Sequence, residues 1–279
     1  MNEKLRDLPI GVFDSGVGGL TVLRALQKKL PHESFLYLGD TARLPYGTKS
    51  PETINRYVLQ ASSVLIERGI KFLVIACNTA ASTVNLVNLQ AQMSNIGLIS
   101  VLEPGAKVAC ETSQTGTIAV IATETTVNSQ GYQNAIQRLR PDAHVIAKSC
   151  SLFVPLAEEG WVDGSIVRAV AKKYLNELFI EQLEKPIDCL VLGCTHFPAL
   201  IKTIRKVIGD KIMIVDSAVT TANAVEDILR RDDLLKLSSQ SSTTFLVTDA
   251  PERFTRVAKQ FLDWKLERSL VELVDFANK

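Results

Sequence analysis

The sequence predicts an α/β fold: two similar lobes of mainly parallel sheet flanked by helices, with the active site in the cleft between them. Three observations predict it. Apolar runs of four to eight residues recur along the chain, amphipathic stretches of helical period separate most of them, and two pairs of segments echo each other. Short, non-alternating apolar runs suit strands buried on both faces, and a helix between consecutive strands is the connection that parallel pairing demands.

The runs are IGVF (10–13), SFLYLG (34–39), KFLVIA (71–76), GLISVL (97–102), TIAVIA (117–122), HVIAKS (144–149), DCLVLG (188–193), KIMIVD (211–216) and TFLVT (244–248). Between the first two, Leu20, Leu23, Leu26 and Leu30 share one helix face, and Pro31 stops that helix. Ser50 supplies an N-cap ahead of Pro51 at the first helical position, and this second helix closes at Gly69. The polar cluster KLSSQSSTT (236–244) is expected as a surface loop. In the tail, WKLERSLVELVDF (264–276) has an amphipathic helical pattern suited to covering core.

The echoes set the lobe division. IGVFDSGVGGLT resembles TIAVIATETTVNS in layout, and FLVIACNTAAS resembles CLVLGCTHFPAL more closely: apolar run, small residue, Cys, then Asn or Thr followed by Thr or His. The spacing between the echoes is about one compact α/β unit. Lobe A is expected over 1–98 with 213–279 returning to it, and lobe B over 99–212.

Composition narrows the function. An apolar fraction of 46% in 279 residues supports a sizeable core. With 31 basic and 30 acidic residues the net charge is +1, which gives no sequence-independent grip on nucleic acid or an anionic membrane. The apolar run before Asp14 is too short for a signal-peptide core or a membrane span, so a cytoplasmic protein is expected. Five cysteines without a CxxC pair and only three histidines make a poor disulfide framework and a poor metal site. A small, locally recognised ligand fits this balance.

In a parallel sheet, ligands bind beyond the carboxyl ends of the strands. Five runs deliver polar residues there: Asp14 and Ser15; Asp40 followed by PYG (45–47); Cys77, Asn78 and Thr79; Thr123 to Thr126; and Cys194, Thr195 and His196. An ordinary thiol is only about 3% ionised at pH 7, and placement at a helix N-terminus is expected to lower the pKa of both Cys77 and Cys194. Each could instead be a small core residue, as Cys110, Cys150 and Cys189 are expected to be, because those three lack polar followers. Two thiols facing each other across a bound molecule suit proton abstraction from one side of a carbon and delivery to the other, which inverts a stereocentre. A single Cys194 with His196 would suit acyl transfer instead. A non-catalytic amino-acid-binding module would need neither thiol. GVGG (16–19) lacks both the GK[ST] ending and the GxGxxG spacing of nucleotide loops, so its glycines are expected to let a helix start close to the sheet and to a substrate.

IGVFDSGVGGLTVL (10–23), YLGDTARLPYGTKS (37–50), ACNTAAS (76–82) and GCTHFPAL (193–200) together resemble the motifs of cofactor-independent glutamate racemases, within the aspartate/glutamate racemase superfamily. The resemblance spans about residues 8 to 230; no motif is recognised in 231–279. It implies that Cys77 and Cys194 are the two acid/base residues acting on opposite faces of the glutamate α-carbon, assisted by Asp14 and His196 respectively. It carries substrate contacts over to Asp14, Ser15, Tyr46, Gly47, Asn78, Thr79, Thr126, Thr195 and His196. Asp40 and Glu158 match acidic positions implicated in the family, with Glu159 an adjacent alternative to Glu158. One departure is that ATETTV (122–127) carries Glu124 and Thr125 where an apolar residue and glycine are expected, which would strain Thr125 at positive φ. The implied activity is interconversion of L- and D-glutamate, supplying D-glutamate for peptidoglycan, with aspartate racemisation as the nearest alternative. No cofactor and no metal are implied; pyridoxal phosphate has no recognisable site. Family members commonly form homodimers and some respond to a peptidoglycan precursor, so both are expectations carried by the resemblance alone.

Overall fold

Ile10, Val12 and Phe13 have no exposed surface, as expected of a strand covered on both faces, and they open the alternation that organises the chain. A computed structural model describes residues 5–93, 96–179, 185–237 and 240–276. The first half runs β1 (Ile10–Asp14), α1 (Leu20–Lys29), β2 (Phe35–Gly39), α2 (Pro51–Glu67), β3 (Phe72–Ile75), α3 (Asn78–Thr83), α4 (Leu86–Gln92), β4 (Gly97–Ser100) and α5 (Leu102–Thr112). The second half runs β5 (Thr117–Ala122), α6 (Glu124–Asn128), α7 (Gly131–Leu139), β6 (His144–Ser149), α8 (Phe153–Glu158), α9 (Ser165–Phe179), β7 (Cys189–Gly193), α10 (Ile201–Ile208), β8 (Met213–Asp216) and α11 (Ser217–Arg231). The chain continues through β9 (Thr243–Val247), α12 (Pro251–Ala258) and β10 (Val271–Leu273).

The strands form two all-parallel sheets, ordered β10-β9-β2-β1-β3-β4 and β6-β5-β7-β8. Removing the β10-β9 extension leaves the same order twice: second strand, first, third, fourth. The sequence echoes are therefore structural repeats, in which β1 corresponds to β5 and β3 to β7. In each sheet the chain reverses its direction of growth between the first and third strands. That switch point is where an open parallel sheet leaves a crevice.

All nine expected strands are present. Ser50 caps α2 by accepting from the Thr53 N–H at 3.3 Å, and Gly69 follows that helix at φ +78°. Two expectations need correction. β8 pairs with β7, so residues 213–216 belong to the second sheet and the chain rejoins the first sheet only at β9. Residues 271–273 form the edge strand β10 after a short 3₁₀ turn (Arg268–Leu270), in place of the amphipathic helix expected over 264–276. The apolar positions are real, since Leu266, Val271, Val274 and Phe276 are buried, but they cover a sheet edge. In the cluster at 236–244, residues 238 and 239 lie outside the described residues, and Thr243 already belongs to β9. No described helix is long and apolar enough to cross a membrane.

Candidate active site

Strand register decides which residues meet at the switch points. Phe13 pairs with Ile75, so two residues further on Ser15 lies beside Cys77, and their side chains are 3.5 Å apart from Sγ to Oγ. Ala122 pairs with Gly193, so one residue further on Thr123 and Cys194 occupy the corresponding positions in the other sheet. Both thiols line one cleft. Ser15, Tyr46, Gly47, Asn78 and Thr79 form its wall from the first sheet, and Thr123, Thr195 and His196 form much of the other.

Cys77 is the N-cap of α3, and its sulfur accepts from the Ala80 N–H at 3.5 Å. The thiol is nevertheless not acidified. Burial pushes its pKa up to about 12, the nearby Asp14 carboxylate adds to that, and bonds from Ser15 and Ala80 only partly oppose them. The expectation that a helix start would lower this pKa is corrected by desolvation. Cys194, unlike Cys77, does not start an α-helix: a 3₁₀ turn, Phe197–Leu200, separates it from α10. Its sulfur lies 3.8 Å from His196 Nδ1.

The two cysteines have different neighbours. Beneath Cys77, Asp14 is fully buried and accepts from the Gly16 N–H at 2.9 Å through Oδ2, while Oδ1 has no hydrogen-bond partner among the described residues. Burial raises its pKa, and His196 together with the amides of Gly19, Gly16 and Ser15 pulls it back. Beside Cys194, the His196 ring is 3.2 Å from Glu158 Oε1 through Nε2, and Phe261 packs edge-on against it at 5.3 Å. Burial disfavours its protonated form, but Cys194 and Glu158 outweigh burial and lift the imidazole pKa to about 10.

The structure distinguishes residues that the sequence grouped together. Thr126 stands behind Thr123, not on the cleft surface; their hydroxyls and that of Thr79 form a triangle with sides of 2.9–3.1 Å. Thr125 has no positive φ and bonds the Gly47 carbonyl at 2.8 Å, tying the two walls together. Asp40 is fully buried away from the cleft, where it accepts from Arg43 Nε at 2.7 Å, Thr248 Oγ1 at 2.9 Å and the Tyr46 hydroxyl. It pins the turn that carries Tyr46 and Gly47. Of the two glutamates in question, Glu158 faces His196, while Glu159 borders an apolar groove with Leu152 and Trp161. Sequence reasoning missed Ser151, Val154 and Pro155, which line the cleft after β6 as Pro45 to Thr48 do after β2. The repeat of strand order was the signal that could have found them.

Asn78 completes the wall. Its Oδ1 accepts from the Tyr132 hydroxyl at 2.6 Å, and its buried Nδ2 has no partner among the described residues. The glycines of GVGG permit close approach: a Cβ on Gly18 would lie 2.4 Å from the His196 ring and from Thr195 Oγ1, and one on Gly19 would lie 2.4 Å from Asp14 Cβ. Among the described residues, no three or more His, Cys, Asp or Glu side chains gather as a metal site.

Two like α/β sheets with cysteines at equivalent strand ends, opening on one shared cleft, have the frame of a racemase-type isomerase. The chain belongs to the Asp/Glu/hydantoin racemase family, whose profile matches residues 18–225. It is 48% identical over 258 residues to the glutamate racemase of Geobacter metallireducens, covering 92% of this chain and 93% of that one. Among solved structures, the glutamate racemase of Francisella tularensis in complex with D-glutamate matches with a TM-score of 0.90 at 35% identity, over 99% of this chain and 100% of that one. Escherichia coli glutamate racemase, in complex with L-glutamate and the activator UDP-MurNAc-ala, matches with a TM-score of 0.73 at 26% identity, over 91% and 95%.

Proposed function

We propose that this enzyme interconverts L- and D-glutamate without a cofactor, with Cys77 and Cys194 working from opposite faces of the α-carbon. The observation that carries the reading is the pair of thiols on one cleft, each at the same place in its own sheet. In one direction a thiolate removes the α-proton while the other thiol returns a proton to the far face, and the reverse reaction exchanges the roles. After each turnover the two sulfurs have exchanged protonation states.

The surroundings suit this division of labour. Burial and Asp14 keep Cys77 a thiol at neutral pH. The ammonium group of a bound amino acid adds a positive charge that offsets Asp14 and favours the thiolate. On the other side His196 is an imidazolium at neutral pH, ready to give a proton through Cys194 or to stabilise its thiolate. Carbanion character and two carboxylates need hydrogen-bond donors. Asn78 Nδ2, the first amides of α3 and the hydroxyls of Ser15, Thr79, Thr123 and Thr195 supply them. The amides of Ser15 and Gly16 serve Asp14 instead. D-glutamate made in this way would feed peptidoglycan synthesis in the cytoplasm, and a response to a precursor such as the E. coli activator belongs to the same reading.

Racemisation in deuterium oxide tests it, started from each glutamate enantiomer. A two-base site puts solvent deuterium into product while unreacted substrate stays protiated early in the reaction. Cys77→Ser and Cys194→Ser each lose at least about 10³-fold in kcat/KM and keep ligand binding. Early label in unreacted substrate from both sides would instead show a single shared base.

A further inference from the structure

The C-terminal segment carries no recognised motif, yet it reaches the site. After β9, Thr248 bonds Asp40 and the Ala42 amide, and the Thr41 hydroxyl bonds the Asp249 carbonyl at 2.6 Å, so α12 starts from the same anchor that fixes Tyr46. Pro51 and Pro251 each occupy an early position of their helices, and in α12 this leads directly to Arg253. Arg253 Nη2 donates to Glu158 Oε2 at 2.8 Å, and the other oxygen of the same carboxylate meets His196 Nε2 at 3.2 Å. Three residues beyond α12, Phe261 packs edge-on against the same imidazole.

We propose that Arg253 is a positioning residue for the Cys194 half of the site, acting through Glu158 on His196; this rests on the two-thiol reading above. A carboxylate that must hold a buried ring has two oxygens and one rotatable plane. The guanidinium fixes that plane, so Oε1 stays within 3.2 Å of Nε2 while the ring's other nitrogen lies 3.8 Å from Cys194 Sγ. With Nε2–H donating to Glu158, Nδ1 accepts from the thiol, or in the imidazolium donates to the thiolate. Phe261 prevents the ring from rotating away. A segment outside the two-sheet repeat thus reaches the Cys194 site, and among the described residues none of that segment bonds Cys77 or Asp14.

Arg253 also helps His196 keep Glu158 charged. Burial would lift the Glu158 carboxyl, but His196 and Arg253 together hold it below the ordinary carboxylate range. The charged and titratable groups facing this pair are Arg253 from α12, Cys194 from the strand end and Asp14 across the cleft. Without Arg253, burial and His196 remain, and Glu158 takes up a proton at a higher pH.

The test is the pH dependence of kcat/KM for Arg253→Ala and Arg253→Lys, with primary isotope effects measured using α-deuterated L- and D-glutamate. The wild type is assayed first, since failure to racemise glutamate would refute the function and not this role. Arg253→Ala is expected to lose about tenfold in kcat/KM near neutral pH and to move the acidic limb up by about one pH unit, with Arg253→Lys restoring most of both. Because the equilibrium constant is fixed at one, kcat/KM falls equally in both directions. The isotope effect, however, rises for only one enantiomer, since only the proton transfer at Cys194 is slowed. An acidic limb that stays in place, or isotope effects that change equally for both enantiomers, would overturn the assignment.

Discussion

Asn78 illustrates how a side chain of the cleft is held by another that lies outside its lining. Tyr132 is fully buried on α7, and its hydroxyl occupies the only acceptor of the Asn78 amide, leaving Nδ2 to face the cleft without a partner among the described residues. Tyr132→Phe removes that bond and frees the amide to turn over. A fall in stability of about 1–3 kcal/mol is expected, since Oδ1 becomes a buried acceptor without a donor. KM for glutamate should rise about tenfold with a smaller change in kcat, because binding is lost in substrate and transition state alike. Urea unfolding and steady-state kinetics measure both. The two cysteines, Asn78, Thr195 and His196 were legible in the sequence because an apolar run ending in Cys and polar residues occurred twice. Thr123 and Thr126 were not separable, because only strand register decides which of two threonines three residues apart meets the cleft. The acidity of Cys77 was misjudged for a physical reason as well. Helix starts are visible in sequence, whereas complete desolvation beside Asp14 is a property of the packed fold.

At the scale of elements, α1 begins unusually close to the second sheet. The Thr21 hydroxyl bonds the Thr195 carbonyl at 2.9 Å, and the Gly18 Cα faces the His196 ring with no room for a methyl group. None of the glycines in GVGG has positive φ, so their role is close approach and not an unusual backbone conformation. Gly18→Ala must push aside a ring that Glu158 and Phe261 hold from its other sides. The expected outcome is about 1–3 kcal/mol of destabilisation. Activity should fall about 100-fold, since a displacement of about 1 Å at a reacting group has that order of effect. Gly16→Ala is the comparison: its Cβ would meet only Leu44 Cδ2 at 3.2 Å, the end of a flexible side chain, and most activity should survive. Strands in the sheet interiors were readable because both faces are buried. β10 was not, since a three-residue edge strand has too few positions to set a period against helical spacing.

At the scale of the molecule, His196 is a point where distant parts of the fold meet. Its own strand end belongs to the second sheet, Gly18 approaches from the first, and Phe261 follows the returning C-terminal helix. This makes its titration a measure of how well the parts are joined. In the folded protein its pKa is raised to about 10, against an unfolded value near 6.5. A raised folded value means the native state holds a proton that the unfolded chain has already released. The stabilisation is therefore complete below about pH 6.5 and is lost as pH rises through about 10. Cys77, Cys150 and Cys189, each pushed up to about 12 by burial, add their own loss only above the ordinary thiol range near 9. Between pH 6.5 and 8.5, then, urea unfolding should show wild type losing about 2 kcal/mol that His196→Asn does not lose. Equal slopes in the two proteins would mean that the imidazolium is not held by Glu158 and Cys194 in solution. Binding of D-glutamate to both proteins at pH 7 serves as the control, because a variant that still binds has kept its cleft while losing only the proton.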